Sequence, residues 1–414
     1  MYTSRYRSHH DASRSLKIRY TSEIPKEIYL QEKLNAPANS KRVIYIHVPF
    51  CNKVCSFCPF HRPDELKRRE YHTYLLQEIE RVKDYPYMQA PIDAINFGGG
   101  TPTALLPEQM DQVLTALQEN FVIAPGAEVS VETSATELSE EMLRVLKKGG
   151  VNRLSVGIQS FDDEARRMLG RRGNGEHAKE RVKRAIEHGF TNTSIDLIYN
   201  YPGQTQERLA KDLEQIVSLG VAGLSFYALM LHEKTPLYDR LSSEQKQEML
   251  DVQKEYRLFS MIVEELGKDG FAPLELTKLV RDGLDRYDYM NIRHSGGSCI
   301  ALGHGAGGNI EEYIYHNSVN SPLISEDIRL NSRGRVVQPV YRIIDALIYD
   351  MQKGQICLAD YSQKLGRDLE AELADLLLQF ADAGYLKEEA GKRVMTTQGL
   401  FWGNNMIDSI VRRL

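Results

Sequence analysis

The stretch His47-Val-Pro-Phe-Cys51-Asn-Lys-Val-Cys55-Ser-Phe-Cys58-Pro decides the reading of this chain. It places Cys51, Cys55 and Cys58 at CxxxCxxC spacing, just past an apolar run, Val43 to Phe50, that reads as a buried strand. Thiolates select soft metals and iron–sulfur clusters. Clusters are normally held by four cysteines, so a set of three leaves one iron of a cubane open to an exchangeable ligand. A Cys3His zinc site with His47 or His61 is the alternative, but a strand histidine at position 47 suits it poorly. Disulfide pairing meets an odd count, since the chain has five cysteines. Cys299 and Cys357 read as buried, inert small hydrophobes.

Outward from this stretch, short apolar runs alternate with longer amphipathic ones. The runs Val43–Val48, Ala94–Phe97, Glu128–Glu132, Arg153–Ile158, Thr193–Ile198 and Gly223–Tyr227 predict strands. Arg69–Lys83, Pro107–Glu119, Ser139–Lys148, Asp162–Leu169, Ala178–His188 and Gln206–Leu219 predict helices. Strands alternating with helices argue for βα units on a parallel sheet. Six units over 42–240 predict an α/β fold with a complete or partial barrel, whose ligands gather at the C-terminal strand ends. Residues 1–41 read as an arm, 243–267 as one long helix, and 270–310 as loop with short strands within a region 241–337. Residues 338–414 read as a helical, winged-helix-like module, with Ala371–Ala383 amphipathic and a hairpin from Gly384.

At 414 residues the chain can bury a large core, with 42% hydrophobic and 26% charged residues and a net charge of −5. That balance gives no reason to expect nucleic-acid binding, and no apolar run approaches a membrane span. The polar, basic N-terminus lacks the apolar core of a secretion signal. The expected location is the cytoplasm, whose reducing conditions suit a cluster on free thiolates.

The run Phe97-Gly98-Gly99-Gly100-Thr101-Pro102 follows a strand, where glycines let backbone approach a ligand; no GK[ST] follows, so it is not a phosphate loop. Glu132, Gln159 and Asp196 put polar groups at or inside apolar strands, which is costly unless they are paired or ligand-bound. On consecutive units they read as one pocket. Arg171 could meet a carboxylate bidentately.

Together these residues resemble the radical S-adenosylmethionine (SAM) enzymes, and within them the coproporphyrinogen-dehydrogenase-like branch. The resemblance rests on Tyr45-Ile-His-Val-Pro-Phe-Cys with CxxxCxxC, GGGTP, Gly157-Ile-Gln-Ser-Phe-Asp and Ile195-Asp-Leu-Ile-Tyr-Asn-Tyr-Pro-Gly. It implies a partial (β/α)6 TIM-like barrel with a mainly α C-terminal domain. It implies a 4Fe–4S cluster on Cys51, Cys55 and Cys58, with SAM on the open iron. Tyr45 and Phe57 would pack near both, and Gly99, Gly100 and Thr101 would contact the methionine moiety. Glu132 and Arg171 match SAM-contacting positions, Arg171 facing the carboxylate; Gln159 and Asp196 match ribose-holding ones. One electron would cleave SAM to methionine and a 5′-deoxyadenosyl radical, which abstracts a hydrogen atom.

Departures narrow the expectation. Coproporphyrinogen dehydrogenase carries a fourth cysteine where this chain has Phe60. Haem chaperones of the branch carry a His-Asn…Tyr-Trp signature; here Tyr287-Asp-Tyr-Met-Asn-Ile-Arg-His294 stands instead, and the sole tryptophan is Trp402. The late run Cys299-Ile-Ala-Leu-Gly303-His-Gly305-Ala-Gly307-Gly308, with Phe226-Tyr-Ala-Leu and Thr235-Pro-Leu-Tyr238, looks most like the anaerobic haem-degrading methyltransferases of class C. Those bind two SAM molecules; Gly303, Gly305 and Gly307 would wall the second, and His294 and His304 would touch a tetrapyrrole or shuttle protons. The implied partners are haem or another tetrapyrrole and an electron donor such as flavodoxin. Menaquinone methyltransferase, a coproporphyrinogen-dehydrogenase-type oxidoreductase and a non-catalytic haem chaperone stay open as alternatives.

Overall fold

The computed structural model describes residues 1–8, 16, 19–22, 29, 32–60, 65–281, 283–318 and 332–414. His61 lies outside them. After a two-residue strand β1 (Thr21–Ser22), parallel strands β2 (Arg42–Val48), β3 (Ile92–Gly99), β4 (Ile123–Ser134), β5 (Arg153–Gln159), β6 (Thr193–Tyr199) and β7 (Gly223–Ala228) pair in sequence order. Helices Glu65–Val82, Pro107–Asn120, Glu140–Lys148, Asp163–Met168, Gly175–Glu187 and Gln206–Leu219 cross between them. Caps fix several of these starts: Ser139, Asp162, Asn174 and Thr205 each accept a first-turn N–H, as short polar side chains do at helix N-termini.

The sheet continues on both sides. β8 (Phe271–Glu275) and β9 (Lys278–Arg281) form a hairpin on β7, and β10 (Ser298–Leu302) joins β2 in parallel. β10 is a parallel strand the βα rhythm did not announce. β11 (Gly307–Ile310), β12 (Tyr313–Asn317) and β13 (Ser332–Val337) extend that edge antiparallel to β1. Among the described residues no pairing joins the ends, so the parallel strands form an open arc rather than a closed barrel.

Strand alternation sorts the side chains. Ile44, Ile46, Ile95, Phe97, Val129, Val131, Leu154, Val156, Ile195, Leu197, Leu224 and Phe226 are buried in the main core. The alternate positions, including Tyr45, Asn96, Ser130, Glu132, Ser155, Asp196 and Ser225, share the other face through the registers Tyr45↔Asn96↔Ser130, Glu132↔Ser155 and Asp196↔Ser225. This inner face is polar although the strands read as apolar. The short helix Asp288–His294 sits on it, Tyr289 packing with Val43, Ala94 and Cys299.

The expected single helix over 243–267 is two, Ser243–Glu248 and Val252–Lys268. Asp251 breaks it by accepting the N–H groups of Gln253 and Lys254, a competing local bond that favours a cap over a helix interior. The C-terminal part holds helices Pro339–Gln352, Ala359–Leu365, Leu369–Asp382 and Thr397–Val411. Its small sheet comprises β14 (Gln355–Ile356), β15 (Leu386–Glu389) and β16 (Lys392–Met395). No described helix is long and apolar enough to cross a membrane. Cys299 is buried as expected, but Cys357 is exposed: it lies in the turn after β14.

Candidate functional site

A cavity of ≈ 1240 Å³ opens at the C-terminal ends of the parallel strands. Cys51, Cys55 and Cys58 line it together with Tyr45 and Phe57. The cysteine loop is pinned rather than free. Ser56 donates its N–H to Leu169 O at 3.0 Å and its hydroxyl to Met168 O at 2.6 Å, and the Leu237 N–H donates to Ser56 O.

The glycine run packs against this loop. The Gly100 N–H donates to Val48 O and the Thr101 N–H to Phe50 O. A Cβ at Gly100 would lie 2.5 Å from Phe50 O, and Gly99 has φ +119°. These glycines therefore serve chain-on-chain approach as well as the cavity wall. Gly98 makes room for a carboxylate, since a Cβ there would sit 3.0 Å from both Glu132 oxygens.

Gly99, Gly100, Thr101, Glu132, Gln159, Arg171 and Asp196 all face the same cavity. Burial and the facing Asp196 carboxylate push Glu132 up to about 7, against the Gly99 N–H and Asn96, which favour its ionised form. Burial likewise raises Asp196, which accepts from the Ser155 hydroxyl at 3.3 Å. Gln159 adopts φ +72° where the β5–β6 register shifts, which turns it into the cavity. Thr101 Oγ1 donates to Cys51 Sγ at 3.4 Å, and Arg171 Nη1 donates to Cys55 Sγ at 3.1 Å.

His304 and Gly305 also line the cavity. The His304 ring packs 4.3 Å from that of Tyr74, and the His304 backbone N–H donates to the Tyr71 hydroxyl. Behind it, buried Glu78 accepts from the Tyr74 hydroxyl and the Gly303 N–H. Gly303 and Gly307 are not brought to the cavity wall. Gly303, at φ +102°, lets β10 run against His47 O, and Gly307 lies against the His316 ring. His294 is not brought there either: it stacks on Tyr349 at 3.8 Å. His47, weighed above only as a zinc ligand, lines the cavity and meets the Tyr45 hydroxyl at 2.9 Å through Nδ1. Burial holds it neutral, down to about 4. Its position two residues from Tyr45 on one strand was the available signal.

The donor set fits an iron–sulfur cluster. Three thiols share one open cavity, two already accept a hydrogen bond at sulfur, and no fourth cysteine lines the wall. Among the described residues, no three His, Cys, Asp or Glu side chains converge as a single-ion site.

Residues 45–216 match the model of the Radical SAM superfamily. The chain is 28% identical over 388 residues to an anaerobilin synthase of Escherichia coli O157:H7, covering 92% of this chain and 86% of the relative. It is 26% identical over 386 residues to the heme chaperone HemW of Bacillus subtilis, covering 89% and 99%. An oxygen-independent coproporphyrinogen III oxidase of Salmonella typhimurium is 36% identical over 187 residues, 44% of this chain and 41% of the relative. Among solved structures, the coproporphyrinogen III oxidase HemN of Escherichia coli superposes with a TM-score of 0.79 at 21% identity, covering 99% of this chain and 96% of that one.

Proposed function

Because residues 45–216 form a radical SAM domain of that superfamily, we propose that the chain is a class C radical SAM methyltransferase acting on a tetrapyrrole, opening haem without oxygen. One observation carries the radical SAM part: three cysteines, Glu132, Gln159, Arg171 and Asp196 meet in a single cavity. When bound, the 4Fe–4S cluster supplies the electron that cleaves SAM, delivered to it by flavodoxin or a similar donor.

The chain's own residues bind and orient. Cys51, Cys55 and Cys58 hold the cluster. Arg171 takes the SAM carboxylate, Glu132 its amine, and Asp196 with Gln159 the ribose. Tyr45 and Phe57 pack around them, and Gly99, Gly100 and Thr101 lie along the methionine. Gly305 would help hold a second SAM, and His304, whose ring packs on those of Tyr71 and Tyr74, would hold or move a proton at the substrate. His304 and Gly305 are what the region 241–337 brings to the cavity, and the helix Pro339–Gln352 holds the helix Asp288–His294 through Tyr349. The near full-length similarity to a protein named anaerobilin synthase supports a bilin-forming reaction over coproporphyrinogen oxidation, as does Phe60 where a fourth cysteine would stand.

Anaerobic incubation of cluster-loaded protein with SAM, dithionite and haem tests this reading, with products identified by mass spectrometry. An opened, methylated tetrapyrrole with 5′-deoxyadenosine is expected. Unchanged haem alongside a methylated menaquinone would replace the tetrapyrrole by a quinone. The similarity to HemW along almost its whole length favours a second reading, a haem chaperone, which requires bound haem and no substrate-dependent 5′-deoxyadenosine.

A further inference from the structure

The outer side of the cysteine loop is open. Val54, between Cys51 and Cys55, is 42% exposed, and Phe60, two residues past Cys58, is 72% exposed. Single apolar side chains are ordinary on a surface, but apolar residues gathered at one point and rimmed by charge mark an interaction site.

The rim here is basic. Hydrogen bonds bring two turns against the loop: Ser56 bonds to Leu169 O and Met168 O, and the Leu237 N–H donates to Ser56 O at 2.8 Å. These turns carry Arg167, Arg172 and Arg240, all exposed, as is Lys53 in the loop itself. Lys53, Phe60 and Arg172 also line the cavity with the three cysteines, so they stand at its opening. Arg240 is held beside them by donating to Met168 O at 3.1 Å. Among the described residues the side chains of Lys53, Arg167 and Arg172 meet no hydrogen-bond or ion-pair partner. Most neighbouring acids are engaged: Asp162 and Glu164 pair with Arg208, Asp163 accepts the Gly175 N–H, and Glu137 accepts from Asn52. Glu233 and Asp239, in the turn of Arg240, remain. On a chain of net charge −5 this is a local excess of positive charge.

We propose that this face, Val54 and Phe60 within a rim of Lys53, Arg167, Arg172 and Arg240, docks an acidic one-electron carrier protein. The inference rests on the radical SAM reading, in which a cluster on Cys51, Cys55 and Cys58 takes its electron from outside the chain. The loop that would hold the cluster is the one that reaches solvent, so a carrier seated here abuts the loop itself. The carrier is oxidised by one electron and the cluster reduced by one, with no atom exchanged. Encounters of this kind bury little area, and complementary charge speeds them more than it tightens them. Two apolar side chains inside a basic rim fit that economy, whereas a permanent partner would need a broad apolar face. Arg171, next to Arg172, turns the other way, to Cys55 Sγ, so adjacent arginines serve the two sides of the loop.

The experiment follows reduction of the cluster-loaded protein by stopped-flow absorbance, with a flavodoxin hydroquinone as the acidic carrier and reduced methyl viologen as a small reductant. Wild type is compared with the triple charge reversal Lys53→Glu, Arg167→Glu, Arg172→Glu and with the same three positions changed to Gln. The bimolecular rate with flavodoxin should fall with added salt in wild type, and by about tenfold or more in the Glu variant at low ionic strength. The Gln variant should lie between and stands in if the Glu variant fails to fold. Viologen should reduce both variants at no less than the wild-type rate, which separates lost docking from a damaged cluster. Equal flavodoxin rates in wild type and both variants, or a wild type that viologen alone reduces, overturns the docking proposal and leaves the radical reading intact. A wild-type cluster that viologen reduces without yielding 5′-deoxyadenosine from SAM overturns both.

Discussion

Arg171 Nη1 donates to Cys55 Sγ across 3.1 Å, while its Nη2 donates to the carbonyl of Gly157 at the end of β5. The arginine thus ties the cysteine loop to the strand whose last residue, Gln159, faces the same cavity. A positive fork at this point can meet a ligand carboxylate. Arg171→Ala should retain a cluster but lower SAM affinity by roughly 10–100-fold, the scale of one lost hydrogen bond to a charged group. Arg171→Lys should recover little, because an ammonium cannot bridge sulfur and carbonyl in one plane. Iron content and equilibrium binding of SAM check both halves of this expectation.

Glu132 gives a pH signature. Its carboxyl is raised to about 7 in the folded chain, first by burial and then by Asp196, against roughly 4.3 in an unfolded one. Between those values the folded protein binds more protons than the unfolded chain. Stability of the SAM-free protein should therefore rise as pH falls from 8 through 7 toward 5. Glu132→Gln should remove much of that slope, leaving the part due to Asp196, which is raised in the same sense. Melting temperatures at pH 6 and pH 8 decide it. A wild-type protein less stable at pH 6, with the variant unchanged, would contradict the assignment.

The glycine run makes a structural prediction. Gly100→Ala would press a methyl group against the Phe50 carbonyl at 2.5 Å, and that atom is backbone, which cannot swing away. Phe50 O also accepts the Thr101 N–H, so the strain falls on the Thr101 hydroxyl at Cys51 as well. The variant should fold, since the clash is confined to one loop junction, but take up less iron on reconstitution. A cluster content equal to wild type would show that the loops yield more easily than their hydrogen bonds imply.

Much of this site was legible in the sequence because strand period and strand ends constrain it twice. Tyr45, Glu132 and Asp196 alternate with Ile44, Val131 and Leu197, so an apolar outer face forces them inward. What was not legible has two physical sources. A glycine lets backbone approach either a ligand or another chain segment, and Gly303 and Gly307 proved to do the latter. The helix Asp288–His294 and the strand Ser298–Leu302 are short and depend on long-range packing against β2 and β3. No local periodicity of five to seven residues distinguishes them from loop. That is why the sequence points His294 at the cavity while the fold stacks it on Tyr349.

The N-terminal residues make the last prediction. Glu255, only 1% exposed, sits in the helix Val252–Lys268 and accepts from Arg5 Nη1 at 2.5 Å and Arg7 Nη2 at 2.6 Å. Arg5 also donates to the Tyr199 hydroxyl and to Phe401 O, so one guanidinium joins the end of β6 to the C-terminal helix. Tyr2 stacks on Tyr385 close by. Removing residues 1–7 would leave a buried carboxylate without a counter-ion, and breaking a buried pair from one side costs about 3–5 kcal/mol. The truncated protein should unfold at clearly lower denaturant concentration. Combining the truncation with Glu255→Gln should recover part of the loss, because the neutral amide no longer needs a cation. Denaturation of wild type, the truncation and the double variant separates this account from simple loss of packing area. If packing alone matters, Glu255→Gln restores nothing.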